Sequence, residues 1–350
     1  MKKYEKEVEQ AHLNNEKAVL KKLESNYKDA LDEINSRIQI LMARQDADLQ
    51  HVIYQVEYQK ALKTQIQTIL ETLQNNEFET VSEYLTKSYE EGFQGALYAL
   101  QKQGVPLLFP IDQRQVVEAV QLETKLSESL YTAMGKDIKE LQRKIAGEIS
   151  RGISNATMYG DISRNIASYA AIPKNRAMTI ARTESHRIQE SAAAKAQEQS
   201  KKKGADIVKV WDSALDGRTR ETHRKLNGQI RELEDLFEVD GKKAKRPGEF
   251  GRPEEDINCR CRSRSTARWL LDADETKMLG NTDKMTDDDL KPIAKKLHIS
   301  TDELRTFSGQ IIPVKAKDYA DFKRQYEKIW NYEGTDFQKE VEKRIASYGE

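Results

Sequence analysis

Apolar residues recur every three to four positions through most of the first 200 residues, and the period then changes. From Leu20 the stripe reads Leu20, Leu23, Tyr27, Leu31, Ile34, Ile38 and Leu41, with Lys, Glu, Asp and Asn between. A spacing near 3.5, kept over about three heptads, predicts a long amphipathic helix packed on a partner helix. A second stripe follows at Ile53, Val56, Leu62, Ile66, Ile69 and Leu73. The plain consequence is a helical hairpin or bundle with a solvated outer face; a docking arm for another protein would need part of the stripe exposed. In EGFQGALYAL, Gly92 and Gly95 predict close helix approach or a bend, and GVPLLFPID (104–112) breaks the helix with two prolines and a glycine. Helices resume over Gln113–Ser127 and over Lys136–Ile153, where Ile138, Leu141, Ile145 and Ile149 share a face. Tyr159-Gly160-Asp161 reads as a stop and an N-cap, with a short helix through Ala170. Pro173 then stands near the start of the next helix, Lys174–Lys202, whose end is marked by a basic last turn and Gly204.

Beyond Gly204 the signals become strand-like. Ile207, Val208, Val210 and Trp211 predict a strand, Asp216-Gly217 a turn, and Thr219–Leu226 two helical turns ended by Asn227-Gly228. A second strand is expected at Phe237–Asp240, followed by a basic loop KKAKRPG, and a third over Asn258–Thr266. N-caps at Thr286 and Ser300 and apolar runs at Tyr326–Trp330 and Phe337–Ile345 predict closing helices. The expected fold class is mainly α with a small α+β domain. It comprises an elongated helical N-terminal region (1–104), a helical connector (105–173), a compact motif domain (174–269) and a small helical C-terminal tail, acidic at its start (270–350).

Charge narrows the function. One third of the 350 residues are charged, but 58 Lys+Arg balance 58 Asp+Glu, so no global field draws the chain to nucleic acid or membrane. No apolar run is long enough to span a bilayer and none follows Met1 as a signal peptide would, so neither is expected. Two cysteines one residue apart are poorly placed to bridge each other, which fits a reducing, intracellular origin. Residues 201–270 hold 18 basic against 13 acidic side chains, a modest excess suited to weak, sequence-independent contact with duplex DNA. Aromatics are too few there for a single-strand stacking platform.

The chemistry-bearing residues crowd into 181–264. As a strand, Cys259 and Cys261 would face one side and Arg260, Arg262 and Arg264 the other. The two sulfurs make zinc a candidate, with His223 as third ligand and Asp216 or His186 as fourth; buried free cysteines are the plainer alternative. Arg220, His223 and Arg224 share a helical face. Arg182, Glu184, Asp216, Arg218, Arg220 and His223 are expected to form a fold-fixing network, because buried charges persist only when paired. Lys242, Lys243, Lys245, Arg246, Arg260, Arg262 and Arg264 are the expected phosphate contacts. There is no Gly-rich phosphate loop, no GxSxG and no HExxH, so an enzyme is not expected. The rival reading is an effector or metal-dependent nuclease using Glu184, Asp216 and His223, with Cys259 as a nucleophile.

The ordered set Ala181-Arg182-Thr183-Glu184, Trp211 through Asp216-x-Arg218-x-Arg220-x-x-His223, Leu226-Asn227-Gly228-Gln229, Pro247-Gly248 and Ile257-Asn258-Cys259-Arg260-Cys261 resembles the minor head protein family of tailed bacteriophages, the head-morphogenesis group of the phage Mu F protein. The resemblance covers roughly 160–265. It implies a low-copy virion protein inside the capsid, assembled in the host cytoplasm and associated with the portal and with capsid or scaffold proteins. It also implies DNA binding without sequence preference and a part in head assembly and genome ejection.

Overall fold

The computed structural model describes residues 2–42, 51–121, 130–154, 159–272 and 312–330. The caps at Thr286 and Ser300 and the run Phe337–Ile345 lie outside them. The helices are α1 (Lys3–Met42), α2 (His51–Gln101), α3 (Gln113–Gln121), α4 (Leu130–Ser154) and α5 (Tyr159–Lys202). The chain divides into two compact units, one of 1–13, 86–120 and 185–350, the other of 14–85 and 121–184. The units are therefore interleaved along the sequence, because α1, α2 and α5 each contribute to both. No described helix is long and apolar enough to cross a membrane.

In the unit of 14–85 and 121–184, the sequence stripes become one core. Tyr27, Ile34 and Ile38 of α1 meet Leu62, Ile66, Leu70 and Leu73 of α2, Ile138, Leu141, Ile145 and Ile149 of α4, and Ile162 and Ile166 of α5. Leu31 is only half-buried, while Ala30 takes the inward position. Such drift is what a 3.6-residue helix does to a 3.5 repeat. Two carboxylates enter this core. Tyr27 Oη donates to Glu77 Oε1 at 3.1 Å, and burial pushes the Glu77 carboxyl up to about 8. Glu148 accepts from Asn165 Nδ2 at 2.7 Å and Tyr169 Oη at 3.0 Å.

The expected break at Pro173 is absent. Helix α5 is continuous from Tyr159 to Lys202 with Pro173 inside it. A proline removes one ladder bond at a cost of about 3 kcal/mol, but the buried face on either side, Ile166, Ala170, Ala177 and Ala181, runs through that point. Packing of the flanking turns outweighs the local penalty.

The unit of 1–13, 86–120 and 185–350 holds the α+β module. Strand β1 (Ile207–Asp212) is central in a three-stranded antiparallel sheet ordered β2-β1-β5, with β2 at Ile230–Arg231 and β5 at Arg262–Ala267. Strands β3 (Phe237–Val239) and β4 (Lys242–Ala244) form a separate hairpin, so the basic loop expected at KKAKRPG begins as a strand. Short helices α6 (Glu221–Leu226) and α7 (Pro253–Asp256) lie between. The last described helix, α8 (Tyr319–Trp330), buries Tyr319 and Phe322 beside Tyr98, and Glu7 accepts from both Tyr98 Oη and the Tyr319 N–H. Gly92 and Gly95 mark close approach. A Cβ at Gly92 would sit 2.2 Å from the Gln189 carbonyl oxygen, and one at Gly95 2.7 Å from Val8 Cγ1.

Strand β5 is an edge strand, and three side chains close it, Gln103 from the turn after α2 and Glu190 and Gln197 from α5. Gln103 donates to Ser265 O and accepts from Ala267 N, Gln197 donates to Ser263 O, and Glu190 accepts from Ser263 N. Residues 263, 265 and 267 are those whose main-chain groups turn away from β1 in an antiparallel ladder. An open edge would recruit another strand; here its groups are satisfied within the unit.

Candidate functional site

Trp211 ends the apolar run of β1 and is fully buried against Phe237, Phe250 and the His223 ring. Its indole N–H donates to Ser213 Oγ, which donates in turn to the His223 carbonyl, so β1 is tied directly to α6. After β1 the chain turns through Leu215 at φ 50°. Asp216 caps that turn, accepting from the Arg218 N–H and the Thr219 hydroxyl, while Arg224 donates to the carbonyls of Thr219 and Asp216. These bonds set α6 so that its buried residues, His223 and Leu226, point into the module.

The cysteines reach the same point from the other side. Asp256, buried at the end of α7, accepts from the N–H groups of Phe250 and Arg252, and its carbonyl accepts from Cys259 N–H. Asn258 adopts φ 55°, a left-handed conformation that asparagine tolerates, and bends the chain just before Cys259. The third strand, expected from Asn258, begins only at Arg262. Cys259 and Cys261 therefore do not alternate on a strand. Both turn toward His223: Nδ1 lies 3.3 Å from Cys261 Sγ and 3.6 Å from Cys259 Sγ, and the three donor atoms all fall within 4.8 Å of one another.

The far side of the imidazole meets Glu255, with Oε2 3.2 Å from His223 Nε2, off the line of a good hydrogen bond. Glu255 also accepts from Thr222 Oγ1 at 2.8 Å and from Lys242. Burial works against its charge, but the Lys242 and Thr222 hydrogen bonds outweigh it and hold the carboxyl below its ordinary pKa. Between the thiols, the hydrogen bond from Cys259, aided by His223, pulls Cys261 down to about 4 despite burial, and pushes Cys259 up. His223, Cys259, Cys261 and Glu255 are 1%, 3%, 2% and 3% exposed. They lie among Trp211, Leu226, Phe237, Val239 and Phe250, so the cluster is sealed from substrate-sized molecules.

The other expected site residues scatter. Asp216 pairs bidentately with Arg260 at the surface, which holds its carboxyl well below the usual range. Neither Asp216 nor His186 is among the converging donors; His186 is buried, and burial holds its pKa down to about 3. Arg220 donates to Ile257 O, and Arg182 pairs with Glu16 in the other unit, to which Glu184 also belongs. The six residues expected as one network thus fall into separate sets. Of the expected phosphate contacts, Lys242 faces Glu255, Lys243 Glu238, Lys245 Glu198, Arg246 Glu249, Arg260 Asp216 and Arg264 Glu5. Arg262 lines a small cavity with Glu5, Glu190 and Asp212. Glu255, Asp256, Ser213 and Lys209 carry no motif that marks them in the sequence. That lysine, in the middle of β1, is buried and donates to the carbonyls of Leu233 and Lys245. A lysine inside an apolar run was the one visible signal.

The fold and cluster define a helical protein carrying a small, sealed Cys–His–Glu module. Residues 143–264 match the family model for phage Mu protein F like proteins. The minor head protein GP7 of Bacillus phage SPP1 is 27% identical over 248 residues, covering 69% of this chain and 80% of that protein. A protein of Enterococcus faecalis named NAD(+)–arginine ADP-ribosyltransferase EFV is 29% identical over 264 residues, covering 74% of this chain but 53% of that one. The chain thus spans about half the length of the Enterococcus relative. No solved structure gives a significant match. These matches make the chain similar to phage Mu F-like and minor head proteins, most directly over residues 143–264.

Proposed function

We propose that the chain is a minor structural component of a tailed-phage head, held inside the capsid next to the portal, and that it is not an enzyme. The observation that carries this reading is the closure of the motif module. Many of its basic side chains are held by carboxylates, as Arg260 is by Asp216, or by backbone carbonyls, as Arg220 and Arg224 are, and its only described cluster of thiols and imidazole is buried. Conserved geometry for turnover needs an accessible reacting atom; a part that must hold its shape in an assembly does not. Capsid or scaffold proteins are the other expected neighbours, and assembly in the host cytoplasm follows. The test is co-expression with the portal protein encoded by the same phage genome. Co-purification through size exclusion is expected, and its absence with both proteins folded would overturn the reading.

The DNA-contacting and genome-delivery roles belong to the same proposal in a specific form. Because six of the seven expected phosphate contacts face carboxylates, duplex binding is weak, confined to low salt and without sequence preference. Filter binding across a salt series tests it; no retention at the lowest salt would remove it. The nuclease alternative requires Glu184, Asp216 and His223 to act together, but Asp216 is at the surface on Arg260 while His223 is sealed on the cysteines. The name of the Enterococcus relative raises a second enzymatic alternative. Neither plasmid nicking with divalent metals nor NAD consumption is expected.

A further inference from the structure

We propose that His223, Cys259 and Cys261 form a structural zinc site, with Glu255 as the positioning residue behind the histidine. The proposal is independent of the head-protein reading and stands on the geometry of the donors. A tetrahedral zinc with Zn–S near 2.3 Å and Zn–N near 2.05 Å requires sulfur–nitrogen separations of about 3.5 Å. The two separations, 3.3 and 3.6 Å, bracket that value, and all three donor atoms lie within 4.8 Å of one another. A pair of ordinary core cysteines needs none of this. It does not need Asn258 in a left-handed turn to swing both sulfurs to one side, nor a histidine nitrogen aimed between them.

The opposite face of the imidazole makes the second argument. Zinc-bound histidines present their other nitrogen to a carboxylate, which fixes the tautomer and raises ligand basicity. Here Glu255 Oε2 is 3.2 Å from Nε2 and is itself held by Thr222 and Lys242. With Nδ1 on the metal, Nε2 is the ring nitrogen left on the Glu255 side. Zinc takes both sulfurs as thiolates, and their protons leave to solvent. Ser213 Oγ, 3.7 Å from Cys261 Sγ, is the further oxygen within reach to hold a water at the fourth position. The same three groups also have the order of a Cys–His–Glu nucleophilic triad, but exposures of 1 to 3% leave no route for a substrate. The apolar cluster around the site is small, Trp211, Leu226, Phe237 and Val239 with Phe250 against them besides the two cysteines, and the metal would join α6 to a segment 36 to 38 residues further along. Small domains that cannot bury enough apolar surface are commonly closed by such an ion.

The test uses the full chain, purified under reducing conditions without chelator, with metal content measured by mass spectrometry. About one zinc per chain is expected. Cobalt loading of the zinc-free wild type should give thiolate charge-transfer absorption together with tetrahedral d–d bands. Cys259→Ser, Cys261→Ser and His223→Ala should each lose the metal, while Asp216→Asn keeps it. Glu255→Gln leaves the ligands intact and should weaken affinity by roughly 10- to 100-fold in chelator competition. Wild-type protein that takes up less than about a tenth of an equivalent after zinc reconstitution would overturn the proposal, as would a cobalt spectrum without thiolate bands or metal retained at full level in all three ligand variants. The cobalt titration needs only the wild type, so a variant that fails to fold does not protect the proposal.

Discussion

The unit of 14–85 and 121–184 and the α+β module reach stability by opposite routes. In the first, four helical stretches contribute aliphatic side chains to one core, and Glu77, Glu148 and Glu184 are charged residues buried in that unit. In the second, a handful of apolar residues surround His223, both cysteines, Glu255 and Asp256, with Lys209 and Glu190 buried nearby. Where apolar area is plentiful, period alone specifies the structure. Where it is scarce, polar groups must meet in fixed geometry, and each becomes costly to remove.

The largest expected effect separates the routes spectroscopically. All three tryptophans, Trp211, Trp269 and Trp330, lie in the unit holding the module, so fluorescence reports that unit while far-UV circular dichroism reports the long helices. Phe237→Ala, beside Trp211 with ring centroids 5.2 Å apart, should cost about 3–5 kcal/mol in the fluorescence-detected urea transition. Ile145→Ala should cost about 2–5 kcal/mol in the dichroism transition. If each variant moved both signals equally, the two regions would unfold as one and the contrast would fail.

How much was legible follows the same division. The stripes Tyr27–Ile34–Ile38 and Ile138–Leu141–Ile145–Ile149 were readable because helical period maps one residue onto one face. Pro173 was misread because packing on both sides is invisible in local propensity. In the module, residue types were readable and geometry was not. Cys259, Cys261 and His223 were picked out together, yet the strand assumed for the cysteines gave way to a turn at Asn258. Glu255 carries no motif of its own; only folding places it behind the histidine. Gln197 and Glu190 are ordinary helix residues, and Gln103 an ordinary turn residue, until an edge strand is laid against them.

Acidity provides the next test, within the helical core. Glu77 titrates near 8 in the folded protein because burial disfavours its charge, against an ordinary value near 4.5. The folded state then holds a proton that the unfolded state has lost between those values, so stability falls as pH rises from about 5 to about 8. Glu77→Gln keeps an acceptor for Tyr27 and removes this loss. It should stabilise the dichroism transition by an amount on the order of a few kcal/mol at pH 9 and by little at pH 5. An effect independent of pH would show that the carboxyl stays ionised. In the other unit, Gln103→Leu strands the Ser265 carbonyl and the Ala267 N–H on β5, and a loss of about 2–3 kcal/mol is expected in fluorescence-detected unfolding.

The smallest effect bears on charge rather than packing. Glu238 and Lys243 stand directly opposite on the β3–β4 hairpin, with Nζ–Oε2 at 3.1 Å and both side chains about half exposed. A cross-strand pair of this kind contributes about 0.2–1 kcal/mol. Glu238→Gln should therefore lower stability by no more than that. The same change releases Lys243 to meet phosphate, and if the pair competes with DNA, low-salt duplex retention should rise by up to about five-fold, the equivalent of about 1 kcal/mol. The gain should vanish as salt screens the lysine. Unchanged retention at low salt would mean that this hairpin does not face DNA, and would leave the paired surface of the module to serve protein neighbours alone.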